Sequence, residues 1–326
     1  MKVAALVDKT TVKVQETSKP SPKKGEVLVK VAFSALDSAF VEVAHRTMIP
    51  GGLLHNLKVK PLVAGWHFSG TVESIDEGVQ DLTPGDSVFG HLQYASGTRQ
   101  GSLAEYVTVP ASELAKSPEG ISMDTAAAVT TEALTALQGM RDMGGLSEGK
   151  SVLVIAASGG VGTQAVQIAK ALKASPVHAV CSTKDVSNVK ELGADLVIDR
   201  TEKDITKALE SKSYDVVFDT TAGKYSFMKL RYSLKKGGTY VSTIPGITQY
   251  PPFSWVVSAS GRHSKSLFVK SNRQDLERVG SWLVSRDIQS VPIDSTYDVK
   301  DVQTAWERQE SGKKTGRVVI KVADGW

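Results

Sequence analysis

One cysteine, Cys181, is all that 326 residues carry, so an intrachain disulfide is excluded and a metal site built on several thiolates cannot be assembled. So sparse a use of thiols suits a reducing compartment. Long hydrophobic runs are missing too: nothing approaches the roughly 18 apolar residues that a membrane-spanning helix needs. The amino terminus, MKVAALVDKTTVKVQ, alternates like a strand and lacks the apolar core of a signal peptide. A soluble, unexported chain with no membrane span is the expectation, cytoplasmic by default with an organelle as the alternative. Charge of one sign is not concentrated either: 39 Lys+Arg against 35 Asp+Glu leave +4, scattered along the chain, which argues against nucleic acid as a partner. No internal repeat and no low-complexity tract occur. What remains, 41% hydrophobic and 23% charged residues, describes a globular protein with room for about two domains.

The most informative stretch is Ser151 to Leu172, SVLVIAASGGVGTQAVQIAKAL. Val152 to Ile155 form a short, continuously apolar, β-branched run, as expected of a strand covered on both faces of a parallel sheet. Gly159, Gly160 and Gly162 follow directly. Beyond them Ala165, Ile168, Ala169 and Leu172 fall at helical spacing, so the glycines occupy a strand-to-helix turn with outward-pointing backbone N–H groups. A pyrophosphate must approach such a backbone closely, which a Cβ would prevent, and the helix N-terminus adds donors and partial positive charge. The spacing is Ala156-x-x-Gly159-x-x-Gly162, with alanine where the dinucleotide fingerprint usually has its first glycine; Ser158 and Val161 complete the expected cofactor turn. A tight turn that only packs helix on strand is the alternative.

From Met1 to about Pro110, short alternating runs punctuated by turns (KVAALV, Val27 to Val31, Phe68 to Ile75, Ser87 to Phe89, Ala104 to Val109) suggest a compact β-rich module. Within it Asp37 to Leu57, with His45, Arg46 and His55, is less patterned and reads as a helix plus a loop. Ser122 is a candidate cap for an alanine-rich helix running through Leu137 and Met140. After the glycine turn come further apolar strands at Val177 to Cys181, Leu196 to Asp199, Asp215 to Asp219, Thr239 to Thr243 and Ser266 to Lys270, most of them separated by helical segments. That makes six strands in one doubly wound sheet. Helices over Asp275 to Val284 and Val299 to Glu310 and a strand from Gly316 to Val322 close the chain.

The end of the second strand decides between the two nicotinamide dinucleotides, because an acid there holds a ribose 2′-OH while small and cationic residues admit a 2′-phosphate. Here it reads Cys181-Ser182-Thr183-Lys184, with no acid at the critical position. Ser182 offers a hydroxyl, Lys184 an ammonium, and Arg200 reaches toward the same spot from past the third strand. NADPH is the predicted cofactor; solvated surface charge is the alternative role for Lys184 and Arg200.

The segments PLVAGWHFSGTVESIDEGVQDLTPGDSVFG (Pro61 to Gly90), GSLAEYVTVP (Gly101 to Pro110), AAAVTTEALTALQGM (Ala126 to Met140), AASGGVG (Ala156 to Gly162), VKELGADLVID (Val189 to Asp199) and SGKKTGRVVIKV (Ser311 to Val322) resemble the medium-chain dehydrogenase/reductase superfamily, and within it the zinc-free quinone oxidoreductase, zeta-crystallin-like branch. The resemblance implies an α/β protein: a GroES-like β-barrel catalytic domain (1–121 and 272–326) plus a Rossmann domain (122–271) with a doubly wound, parallel, six-stranded sheet, and an active site in the cleft between them. It also places Thr131 and Thr135 near the nicotinamide and lets the turn Ile244-Pro245-Gly246 offer backbone groups to the carboxamide. It implies a homodimer joined through the sixth strand, Ser266 to Lys270.

Two departures matter. Zinc enzymes of the superfamily carry Gly-His-Glu where this chain has Gly65-Trp66-His67, and Trp66 cannot ligate, so a metal-free mechanism is expected and His67 is expected as a packed core residue. Many relatives have an Asn-x-x-Asp element where Ser34 stands in Phe33-Ser34-Ala35-Leu36-Asp37. Ser34, His45, Arg46 and Tyr94 are the candidate pocket residues. The leading expectation is NADPH-dependent reduction of a quinone; the alternatives are reduction of the C=C bond of α,β-unsaturated carbonyls, and a catalytically idle NADPH-binding protein.

Overall fold

A computed structural model describes residues 1–7, 11–36, 62–93, 101–209, 213–221, 224–243, 247–249, 252–311 and 313–326. The expected helix and loop over 37–57 lie outside the described residues. Two compact units are present. The first comprises Met1–Thr130, Ser271–Val284 and Pro292–Trp326; the second comprises Thr131–Lys270 and Ser285–Val291.

The first unit opens with β1 (Lys2–Leu6), β2 (Val12–Glu16), β3 (Glu26–Leu36), β4 (Leu62–Val63), β5 (His67–Ile75), β6 (Ser87–His91), β7 (Tyr106–Pro110) and β8 (Leu114–Lys116). Strand β3 runs five residues past its expected end at Val31. Ser34, Ala35 and Leu36 are all buried, so both faces are covered and no alternation marks the extension. Two register shifts along its pairing with β5 bend it, and it also pairs with β7. The core is built on Phe68, Leu103 and Val107. Next comes α1 (Met123–Gln138). Ser122 sits at its head, but its hydroxyl bonds the side chains of Asp124 and Thr125, while the Asp124 carboxylate accepts from the Thr125 amide at 2.7 Å.

The second unit continues with β9 (Val152–Ile155), α2 (Gly160–Ala171), β10 (Val177–Cys181), α3 (Val186–Glu191), β11 (Leu196–Asp199), α4 (Ile205–Ala208), β12 (Tyr214–Asp219), α5 (Phe227–Leu230), β13 (Leu234–Ser242), α6 (Phe253–Ala259) and β14 (His263–Ser266). The order β11-β10-β9-β12-β13-β14 makes one six-stranded sheet, parallel throughout. All four residues of β9 are fully buried, as its unbroken apolar run requires. The sixth strand corrects the expectation: it ends at Ser266, where it was expected to begin. HSKS is a half-exposed polar edge, whereas the apolar signal at Leu267 to Val269 comes from residues beyond the strand, Phe268 being 69% exposed.

The chain then runs through α7 (Arg273–Ser285), β15 (Ile293–Asp298), α8 (Val302–Glu310) and β16 (Arg317–Lys321). In the first unit β16 pairs antiparallel with β3 and parallel with β15. Strand β15, IDSTYD, carries little apolar signal and was not foreseen. Residues Ser285–Val291 belong with the second unit because the Gln167 side chain on α2 holds them. Its Oε1 accepts from the amides of Gln289 and Ser290 at 2.7 and 3.0 Å, and its Nε2 donates to the Ser290 carbonyl at 3.0 Å. Among the described residues no helix is long and apolar enough to cross a membrane.

Candidate functional site

The order of the six-stranded sheet reverses between β9 and β12, the kind of position at which doubly wound folds bind ligands. The connection from β9 to α2 lies there. It begins with Ala156 at φ +61°, the left-handed conformation that disfavours any residue with a Cβ; the usual glycine at this point of the fingerprint thus has a backbone reason. Ala156→Gly is expected to stabilise the protein by roughly 1 kcal/mol, read as an increase in melting temperature.

Gly159 is the N-cap of α2 and has no side-chain cap bond. The first amide to close onto it is that of Thr163, donating to the Gly159 carbonyl at 2.8 Å, so the amides of Gly160, Val161 and Gly162 precede the helical ladder. A Cβ on Gly159 would meet only the Ala156 carbonyl, at 3.4 Å, whereas one on Gly162 would lie 2.1 Å from the Ala156 carbonyl oxygen and 2.7 Å from the Ala157 Cα. One glycine leaves the approach to the turn open and the other lets helix and strand touch. These residues fit a pyrophosphate, which needs close backbone approach and clustered N–H donors.

At the end of β10, Ser182 and Arg200 are brought together: the Arg200 guanidinium donates to Ser182 Oγ at 2.7 Å, and its amide donates to the Cys181 carbonyl at 3.0 Å. Lys184 is exposed in the single turn Thr183–Asp185. Two acids, Asp185 and Asp199, flank the same strand ends, and the Asp199 carboxylate accepts from the Thr201 amide at 2.8 Å. Cys181 is buried, and burial pushes its thiol up to about 11. It is therefore protonated and unreactive near neutral pH.

Thr131 and Thr135 lie one turn apart on α1, Thr135 buried and Thr131 half-buried. Ile244, Pro245 and Gly246 lie outside the described residues, as do His45, Arg46 and Tyr94. Ser34, in the first unit, is fully buried, with its hydroxyl 2.7 Å from that of Ser102.

His67 sits at the start of β5 and is 1% exposed. Arg317 Nη2 is 3.0 Å from its Nε2 and Thr130 Oγ1 is 3.1 Å from its Nδ1. Arginine only donates, so Nε2 accepts, Nδ1 carries the proton and donates to Thr130, and the Thr130 hydroxyl donates to the Ala127 carbonyl at 3.2 Å. Both ring nitrogens are thus engaged in bonds inside the first unit. The His91 ring lies edge-on to His67, 5.7 Å between centroids. Among the described residues no group of three or more His, Cys, Asp or Glu side chains could hold a metal.

Two buried acids in the second unit escaped the sequence reading. Asp219, at the end of β12, is fully buried and accepts from Thr221 Oγ1 and Tyr240 Oη, each at 2.6 Å. Glu132 on α1 is 5% exposed and faces Gly160. Its being the only charged residue between Asp124 and Arg141 marks it as unusual, but not its place beside the turn.

Residues 23–119 match the alcohol dehydrogenase GroES-like domain and residues 192–320 match the zinc-binding dehydrogenase domain. The chain is 33% identical over 307 residues to a 2-methylene-furan-3-one reductase of Solanum lycopersicum, covering 92% of this chain and 73% of that one. Over the same shares it is 32% identical to a chloroplastic NADPH-dependent alkenal/one oxidoreductase of Arabidopsis thaliana. The structure of the quinone oxidoreductase from Coxiella burnetii superposes with a TM-score of 0.83 at 27% identity, over 98% of each chain.

Proposed function

Since the chain belongs to the medium-chain dehydrogenase/reductase superfamily, among its quinone oxidoreductase-like members, we propose that it is a zinc-independent, NADPH-dependent quinone reductase. One observation carries the cofactor: the glycine turn heading α2 stands beside a strand end where Arg200 and Ser182 are hydrogen-bonded to each other, with Lys184 two residues further on and no acid at the second strand's terminal position. The turn's amides take the pyrophosphate, and Arg200, Ser182 and Lys184 take the 2′-phosphate. Bound there, the nicotinamide supplies hydride chemistry. Thr131 and Thr135 on α1, with the 244–246 turn, are assigned to its nicotinamide half; Ser34, His45, Arg46 and Tyr94 stay the pocket candidates. Zinc independence is supported by Trp66 at the ligand position, by the lone cysteine, and by the commitment of both His67 nitrogens to Arg317 and Thr130.

Similarity to the Coxiella quinone oxidoreductase supports the substrate class. The 2-methylene-furan-3-one reductase and the alkenal/one oxidoreductase favour a second reading, reduction of the C=C bond of an enone or alkenal. NADPH oxidation followed at 340 nm with 1,4-benzoquinone and with 2-alkenals separates the two. Faster turnover of the quinone, unchanged by a chelator, is expected. Faster turnover of the alkenals selects the second reading, loss of activity to chelation overturns zinc independence, and tight NADPH binding without oxidation of any acceptor indicates an idle binding protein.

We propose in addition a homodimer joined at the edge of the six-stranded sheet through Ser266 to Lys270, the segment that ends β14 and runs past it; Phe268 in that segment and Trp255 on α6 are 69% and 70% exposed. Light scattering should give twice the chain mass; a monomer contradicts it. Among the described residues no helix is long and apolar enough to cross a membrane, and the Arabidopsis relative is named chloroplastic.

A further inference from the structure

The glycine turn has an anionic neighbour. A Cβ built on Gly160, the first residue of α2, would stand 3.2 Å from Glu132 Cγ and 3.4 Å from Oε1, so the carboxylate of Glu132 lies against the head of that helix. It is 5% exposed and is the only charged side chain on a sixteen-residue stretch from Thr125 to Met140. The turn has no acidic residue of its own in the first turn of α2. A buried carboxylate at the positive end of a helix is stabilised there, and a pyrophosphate seeks the same end for the same reason.

We propose that Glu132 is an affinity-setting residue of the dinucleotide site: its negative charge, held against Gly160, opposes the cofactor's pyrophosphate and keeps binding weaker than the turn alone would make it. The proposal rests on the reading of the α2 turn as a pyrophosphate cradle. Two anions share one helix terminus, and because the carboxylate is withdrawn from water their repulsion is screened less than between surface groups. Restrained affinity matters to an oxidoreductase that must release its spent cofactor at every turnover, since affinity differences reside mostly in the off-rate. The 2′-phosphate contacts at Ser182 and Arg200 belong to the other end of the cofactor, so the effect should be confined to ligands that carry the pyrophosphate.

Equilibrium titration of the full chain with NADPH and with adenosine 2′-monophosphate, together with thermal unfolding of the ligand-free protein, tests this. Glu132→Gln, which keeps the shape and removes the charge, should bind NADPH about tenfold more tightly, bind adenosine 2′-monophosphate as the parent does, and melt at a lower temperature without ligand. Tighter binding joined to lower stability is a pairing that a merely structural role would not give, because loosening the site would weaken both. Glu132→Ala, which a helix accepts readily, should show the same gain and guards against a folding defect peculiar to the amide. NADPH binding unchanged or weakened in both variants, with the parent binding normally, overturns the proposal alone. No binding of NADPH or NADH by parent and variants overturns the cradle reading and the proposal with it.

Discussion

Gly162→Val is expected to abolish cofactor binding, at least about a hundredfold, and to cost the second unit roughly 3 kcal/mol or more of stability. The reason is geometric. Even a Cβ at residue 162 would lie 2.1 Å from the Ala156 carbonyl oxygen and 2.7 Å from the Ala157 Cα. Both are backbone atoms of the first two residues after β9, and neither can rotate away as a flexible side chain would. Helix α2 would have to lift from β9, carrying its first amides out of register with the turn. Gly159→Ala makes the necessary contrast. There the Cβ meets only the Ala156 carbonyl, at an ordinary 3.4 Å, and Gly159 has φ −76° and ψ 169°, values open to any residue. This variant should melt like the parent and lose about tenfold in NADPH affinity, because its methyl group fills space the pyrophosphate needs. Calorimetric titration with parallel melting curves reads both. Parent-like binding and stability in Gly162→Val would refute the assignment of the turn.

Charge reversal at the end of β10 should redirect cofactor choice. Arg200→Glu and Lys184→Glu are each expected to lower the ratio of kcat/KM for NADPH over NADH at least about tenfold, a charge-assisted contact being worth roughly 1.5–3 kcal/mol. Arg200→Glu should have the larger effect, since its guanidinium is already held at Ser182 Oγ, 2.7 Å away, and less ordering is needed when the phosphate arrives. The neighbouring acids do not cancel this: Asp199 is engaged with the Thr201 amide, and Asp185 lies beyond the strand end, in the turn Thr183–Asp185. The effect should appear chiefly as a raised KM for NADPH with little change for NADH. An unaltered ratio in both variants would remove the 2′-phosphate site.

The nucleotide unit was largely legible because parallel strands buried on both faces write themselves as apolar runs. VLVI and VVFD stand out for that reason, and Gly193, at φ +104°, closes α3 where the pattern ends. The edge of the same sheet was misplaced for the converse reason: HSKS has one neighbour and a half-exposed face, so burial imposes no signal on it. In the first unit, β3 was cut short at Val31 because Ser34 lies on a covered face, paired with Ser102. The site followed the same rule. Glycines and the absent acid at Ser182 are local facts that a linear chain displays. That Arg200, eighteen residues on, reaches the same spot as Ser182 is suggested by its place just past the third strand, but the hydrogen bond between the two side chains is not written in the sequence. Glu132 was passed over, since nothing in AAAVTTEALTAL states that its carboxylate lies against a turn twenty-eight residues on. The tautomer of His67 needed Arg317, which lies 250 residues away.

The most direct test of the account is equilibrium titration of the unmodified chain with NADPH and with NADH under identical salt and pH. One site per chain is expected, with NADPH bound at least about tenfold more tightly than NADH. Equal affinity, a preference for NADH, or no binding of either dinucleotide would contradict it.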